Sequence, residues 1–179
     1  WRDGNPDYAQ LHAWSVQAPA DFWAAVWEFG SVIADERGEV VLADGDRLPG
    51  ARWFPQARLN FAENLLRFSG PQPALIGLLE DGTRRTLSRD ELRGQVAAVA
   101  RTLRDLGVEP GDRVAGFLPN IPETVVAMLA TASIGAVWSS CSPDFGIAGV
   151  LDRFSQIEPR VLVAADAYLY NGRRCDCLD

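Results

Sequence analysis

The sequence contains no lysine; all 17 basic residues are arginine. Chemistry that requires a lysine must therefore come from outside these residues. A G-x-x-x-x-G-K-[ST] loop is absent, as is any other Gly/Ser/Thr-rich stretch able to cradle phosphates. Histidine occurs once, as His12, and is read as a surface or structural residue. Three cysteines are too few for a disulfide framework and point to a reducing, cytoplasmic setting. Cys141 reads as a small buried residue, and Cys175-Asp176-Cys177 lacks the partners a tetrahedral metal site needs, so no metal site is expected. No apolar run approaches the roughly 20 residues needed to span a bilayer, and no signal peptide is visible. The net charge of −7 argues against nonspecific binding to nucleic acid or anionic membranes.

What is present is an ordinary globular composition, 47% hydrophobic and 23% charged over 179 residues, enough for one domain or one and a half. The central stretch is Arg113 to Ala165. Val114–Leu118 is apolar throughout and bounded by turn residues, as a strand covered on both faces should be. Asn120-Ile121-Pro122-Glu123 gives a helix start with Asn as cap, and Val125, Val126, Met128, Leu129 and Ala132 form its buried stripe. Gly135 is placed to end it. Ala136–Ser140 reads as a second strand. A second helix is predicted from Asp144 to Ser155, with Val150, Leu151 and Phe154 inward, and Val161–Ala164 as the third strand. Strands alternating with helices predict an α/β fold with a parallel βαβαβ sheet. Ligands sit at the carboxyl ends of such strands. Those ends are Pro119-Asn120, Cys141 to Asp144, and Asp166 to Arg174. The first turn has no glycine, which argues against a dinucleotide-binding G-x-G-x-x-G unit.

The preceding residues read as a mostly helical extension. Leu11 and Trp14 can share a helical face. Asp21 is placed to cap a helix in which Phe22, Trp23, Val26, Trp27 and Phe29 recur at three- and four-residue spacing, read as packing rather than a ligand cage. Gly38 to Gly50 reads as a strand or extended loop. Asn60-x-x-Glu63 has the form of a capping box, followed by a face of Phe61, Leu65 and Phe68. Gly70-Pro71-Gln72-Pro73 is the expected boundary, giving an extension over 1–70 and the sheet domain over 71–179. Ala74–Leu79 and Arg84–Leu87 flank Asp81-Gly82 as a hairpin. Ser88-x-x-Glu91 caps a long helix with Leu92, Val96, Val99, Leu103 and Leu106 facing the core. Arg89, Arg93, Arg101 and Arg104 lie on its other faces. The chain opens on Trp1 and closes in an open loop, so both ends are expected to be cut.

These residues resemble a known family. The run GVEPGDRVAGFLPNIPETVVAMLATASIGAVWSSCSPDFG is similar to the N-terminal part of the adenylate-forming enzymes, the acyl-CoA synthetases. Two passages, WFPQARLNFAENLL from Trp53 and WSSCSPDFG from Trp138, resemble the acetoacetate-activating branch. The resemblance implies a ligase in which the carboxylate of acetoacetate attacks ATP to give an acyl-adenylate, and CoA then displaces AMP. Mg²⁺ and cationic or N–H donors would stabilise the charge that develops. The family's Lys-terminated loop, Thr-Glu motif, adenosine-binding Asp and Arg, and C-terminal-domain lysine have no counterpart here. This chain alone is therefore expected to be inactive, with the remainder of the same chain as its partner. One partial site carries over from the acetyl-CoA synthetases: the loops that hold the adenine and 3′-phosphate of CoA align with Ser142, Pro143, Asp144 and Phe145, and with Tyr170, Arg173 and Arg174. Tyr170 stands where that family has a further arginine, and Ser-Pro-Asp replaces a glycine-richer run. An arginine fork suits phosphate and a tyrosine can stack on adenine. Rival readings are a ligase for another short acyl chain, a non-catalytic module binding CoA or a partner protein, and a truncated remnant.

Overall fold

The computed structural model describes residues 7–177, which form two compact units dividing between Asn60 and Phe61. The first unit holds α1 (Tyr8–Gln17), α2 (Pro19–Phe29) and a two-residue antiparallel pair, β1 (Leu42–Ala43) with β2 (Arg52–Trp53). Asp7 and Gln10 cap α1 reciprocally, a capping box with Gln at its third position. At α2 the cap falls on Ala18, with Pro19 in the first turn; Asp21 lies inside that turn instead of capping it, because proline fits the first helical positions without losing a bond. Aromatic rings hold this unit together. Trp14 meets Phe22 edge-on at 5.2 Å, and Trp23 meets Trp53 at 5.9 Å. Trp27 lies 4.6 Å from Phe54, and the Arg37 guanidinium sits over both of those rings. Phe29 of the expected aromatic stripe is exposed.

The second unit opens with α3 (Phe61–Leu66). Its inward residues are Ala62, fully buried, and Leu66; Phe61, Leu65 and the following Phe68 are more than half exposed. The expectation chose the larger side chains. The helix turns the neighbouring stripe, about 100° round, toward the core. A hairpin follows, β3 (Pro73–Leu78) antiparallel to β4 (Arg84–Ser88), with Asp81 accepting the Thr83 N–H at 2.8 Å in its turn. That turn bond holds the Asp81 carboxyl below its usual pKa. Ser88 and Glu91 form the expected capping box on α4 (Arg89–Asp105). The segment before β3 is tied to that helix start, since Gly70 N–H donates to Asp90 at 2.8 Å. Leu92, Val96 and Leu103 are buried as the spacing predicts, but Leu106 is exposed. It is the C-cap residue of α4 and has left the helical stripe.

Three strands form the central sheet: β5 (Arg113–Phe117), β6 (Val137–Cys141) and β7 (Val161–Ala164), all parallel, in the order β6-β5-β7. They are joined by α5 (Pro122–Ser133) and α6 (Ile147–Ser155). The βαβαβ reading therefore holds. Successive residues of β5 serve opposite faces: Val114 joins the core under α4 and α5, and Ala115 joins a second cluster with Cys141 and Phe154 of α6. A strand covered on both faces reads as an unbroken apolar run. Gly135 follows α5 with φ of 77°, the left-handed value a helix end favours glycine for.

Three details differ from expectation. Ile121 occupies the cap of α5 without a side-chain bond, with Pro122 first in the helix, so Asn120 stands one residue outside. The loop end is secured instead by Thr124, whose hydroxyl donates to the Pro119 carbonyl at 2.7 Å. Helix α6 starts at Ile147, not Asp144, because Ser142–Phe145 is closed into a turn by the Phe145 N–H donating to Ser142 O. Leu151 is exposed, since the short helix buries only the Val150–Phe154 stripe. Finally, residues after β7 do not run as a plain loop. They form β8 (Ala167–Tyr170) and β9 (Arg173–Asp176), an antiparallel hairpin. The expected open end at 178–179 lies outside the described residues.

Candidate functional site

The carboxyl ends of the parallel strands lie on one edge of the sheet, and the chain at each end is locally ordered. After β6, the Ser142 hydroxyl donates to Asp144 Oδ2 at 2.9 Å, and Pro143 is half-buried between them. The Phe145 ring packs under the Arg153 guanidinium at 4.3 Å, an arginine of the last turn of α6. Cys141, just before this turn, is buried, and burial pushes its thiol pKa up. It is a packed side chain, not a reactive one.

After β7 the hairpin β8–β9 carries the second group of candidates. Its turn, Asn171-Gly172, has φ of 49° and 70°, the positive pair that a two-residue type I′ turn demands and that Asn-Gly supplies. The turn fixes the register as Tyr170↔Arg173, Leu169↔Arg174 and Tyr168↔Cys175. Directly paired residues share a face, and neighbours along a strand alternate. Tyr168, Tyr170 and Arg173 therefore lie on one face, and Leu169 and Arg174 on the other.

The two loops meet on the Tyr168 face. The Tyr168 phenol faces the Asp144 carboxylate, and that interaction, with partial burial and the Asp144 charge, pushes the phenol pKa up to about 12. Asp144 accepts from Ser142 and lies near Tyr168. Tyr170 and Arg173 are exposed beside this junction. The structure brings Ser142, Asp144, Tyr170 and Arg173 to one side of the sheet edge. It separates Arg174, which ion-pairs with Asp176 at 3.0 Å and Asp166 at 3.6 Å. Among the described residues Arg173 forms no such pair. An arginine already held by two carboxylates is a poorer phosphate ligand than an exposed one.

Beside the hairpin lies a cleft of about 590 Å³, lined by Leu78 to Glu80, Arg85, Pro119 to Ile121, and Asp166 to Tyr170 with Arg174. The Arg85 guanidinium meets the Glu123 carboxylate at its rim in a two-pronged ion pair. Burial alone would raise the Glu123 pKa, but the Arg85 hydrogen bonds and charge outweigh it and hold the carboxyl below its usual value. Glu80 Oε1 accepts the Asn171 N–H at 2.6 Å. Tyr168, Glu80 and Asn171 escaped the sequence reading. The Asn171-Gly172 dipeptide between Tyr-Leu-Tyr and Arg-Arg-Cys is a hairpin signal that was available. The contacts to Asp144 and Glu80 join residues 24 and 91 positions apart and leave no local signal.

Among the described residues, no helix is long and apolar enough to cross a membrane. The AMP-binding enzyme family matches residues 61–177, and the acetyl-coenzyme A synthetase N-terminus matches residues 8–65. An acetoacetyl-coenzyme A synthetase of Rhizobium meliloti is 56% identical over 95% of this chain and 26% of its own length. A malonamoyl-CoA synthetase of Penicillium aethiopicum is 40% identical over 93% of this chain and 24% of its own. The solved structure of acetoacetyl-CoA synthetase from Streptomyces lividans superposes with a TM-score of 0.88 at 50% identity, over 96% of this chain and 27% of that one. The chain spans about a quarter of the length of the relatives it matches.

Proposed function

Because the chain belongs to the AMP-binding enzyme family, we propose that it forms the N-terminal part of an acetoacetate–CoA ligase and supplies part of its CoA nucleotide site. The organisation proposed is an N-terminal extension followed by the opening portion of the AMP-binding domain. The observation that carries the reading is the agreement in sequence and fold with acetoacetyl-CoA synthetases over nearly the whole chain. In the proposed reaction ATP, with Mg²⁺, activates the acetoacetate carboxylate as an acyl-adenylate, and the CoA thiol takes the acyl group. The residues present fit CoA better than ATP. They offer an aromatic ring and an exposed guanidinium on one hairpin face, but no lysine or Ser/Thr-rich loop for a triphosphate.

Within that reading each residue has a distinct task. Arg173 presents a planar fork to the 3′-phosphate. Tyr170, directly across the hairpin, offers its ring to the adenine. Asp144 cannot serve phosphate, being an anion; its remaining lone pairs suit the purine amino group. Pro143 and Phe145 shape the turn around it. Arg174 serves the hairpin's own charge balance rather than the ligand. A cytoplasmic setting belongs to the same proposal and is supported by three free cysteines.

The test uses the full-length protein, supplied with ATP, CoA and a panel of short-chain acids. Acetoacetate should give the highest rate of pyrophosphate release and thioester formation. The malonamoyl-CoA synthetase relative favours a second reading, in which another short acyl chain is preferred, and the same panel separates the two. Arg173→Ala should raise the KM for CoA about tenfold, from loss of a charged hydrogen bond worth about 1.5 kcal/mol. With 3′-dephospho-CoA the variant and the parent should agree. An unchanged KM for CoA would refute the site assignment.

A further inference from the structure

The tip of the β8–β9 hairpin is held by a residue far from it in sequence. Glu80, in the β3–β4 turn, accepts the Asn171 N–H through Oε1 at 2.6 Å. This is the only side chain recorded on that turn amide among the described residues. Asn171 is the first of two turn residues with positive φ, and its neighbours Tyr170 and Arg173 are the paired residues that flank the turn. A two-residue turn leaves little slack: a rotation at Asn171 moves both flanking side chains together. The base of the hairpin is closed by the backbone, the Cys177 N–H donating to the Asp166 carbonyl at 2.8 Å. The hairpin is therefore fastened at its base by that backbone bond and at its tip by Glu80.

We propose that Glu80 is a positioning residue for CoA: it fixes the Asn171-Gly172 turn so that Tyr170 and Arg173 face the nucleotide together. This rests on the CoA reading above. Glu80 itself does not touch the ligand. Glu80 lines the cleft together with Leu169, Tyr170 and Arg174, and its Oε1 is taken up by the Asn171 N–H.

Charge and position make opposite predictions, which allows a clean test. Removing a carboxylate near an anion site strengthens anion binding if the charge is all that matters. Removing the tether weakens binding if position matters. In the full-length protein, Glu80→Ala should raise the KM for CoA roughly threefold to tenfold, the loss expected for an ordinary hydrogen bond acting through the hairpin. The kcat and the KM values for ATP and the acid should stay within about twofold, on the scale of a near-neutral surface change. Glu80→Gln keeps an amide oxygen that can accept the Asn171 N–H without the charge, and should restore the CoA KM. Hydrogen–deuterium exchange of the 167–177 segment, read by mass spectrometry without CoA, should rise in Glu80→Ala and return in Glu80→Gln. A lowered or unchanged KM for CoA, or unchanged exchange, overturns the proposal, as does a rise in every KM together. If Arg173→Ala leaves the CoA KM unaltered, the CoA reading fails, and the exchange measurement still decides whether Glu80 holds the hairpin.

Discussion

Replacing Gly116 with alanine tests the packing that sets the ligand edge of the sheet. Gly116 lies in the central strand β5, paired with Ser140 of β6 and Val163 of β7. A Cβ at this position would fall 2.4 Å from Cζ2 and 2.5 Å from Cη2 of Trp138. Non-bonded carbons do not approach so closely, so the indole must swing away from the core it packs against. Overpacking of this kind costs about 1–3 kcal/mol. Working against it is the loss of glycine's freedom in the unfolded chain, which stabilises by about 0.4–1 kcal/mol where the backbone permits alanine. The net expectation is a destabilisation of about 0–2.6 kcal/mol. With Trp138 first replaced by valine, which keeps a strand-forming side chain and removes the ring, Gly116→Ala should become neutral or stabilising by up to about 1 kcal/mol. The assay is urea denaturation of the four members of the double-mutant cycle, followed by far-UV circular dichroism. A coupling of about 1 kcal/mol or more is the expected result for residues in contact. Equal effects of Gly116→Ala in both backgrounds, or a gain in stability with Trp138 in place, would refute the steric argument.

Two further outcomes follow from the rim of the cleft and from the composition. The Glu123 carboxyl is held below its usual pKa by Arg85, so the ion pair adds stability above the unfolded-state value near 4.5 and loses it as pH falls through the lower folded-state value. Both side chains are more than two-fifths exposed, and exposed pairs contribute about 0.2–1 kcal/mol; Glu123→Gln should therefore flatten the stability–pH curve below pH 4.5 by no more than that. Purified as residues 1–179, the chain should release no pyrophosphate from ATP and acetoacetate, given its lack of lysine; measurable release would contradict the division of labour proposed.

The parallel sheet was legible because its signals are local and repeated. Val114 to Leu118 and Val161 to Ala164 are short apolar runs, and each connecting helix supplies its own stripe and stop. Errors appeared where a helix could turn either of two adjacent stripes inward. At α3 the sequence offers Phe61 and Leu65 on one stripe and Ala62 and Leu66 on the next. Size favours the first, but close approach to α4 and α5 favours the small Ala62. At α6 the same choice set Leu151 aside in favour of Val150 and Phe154. Neither outcome can be read from periodicity, because both stripes have it. Helix starts failed for a different reason. Proline at α2 and α5 sets the first turn by itself, so the nearby Asp21 and Asn120 were not needed as caps.

The candidate site shows the same division at finer scale. The residues Tyr170, Arg173 and Arg174 stand within five positions, and sequence alone ranks the two arginines only by resemblance. Register separates them. Asn171-Gly172 closes a two-residue turn, so Arg173 must face the same way as Tyr170 and Arg174 the opposite way. Once turned away, Arg174 meets Asp176 two residues along the same face and Asp166 before the hairpin. One turn thus leaves one arginine exposed on the Tyr170 face and commits its neighbour to the protein's own carboxylates.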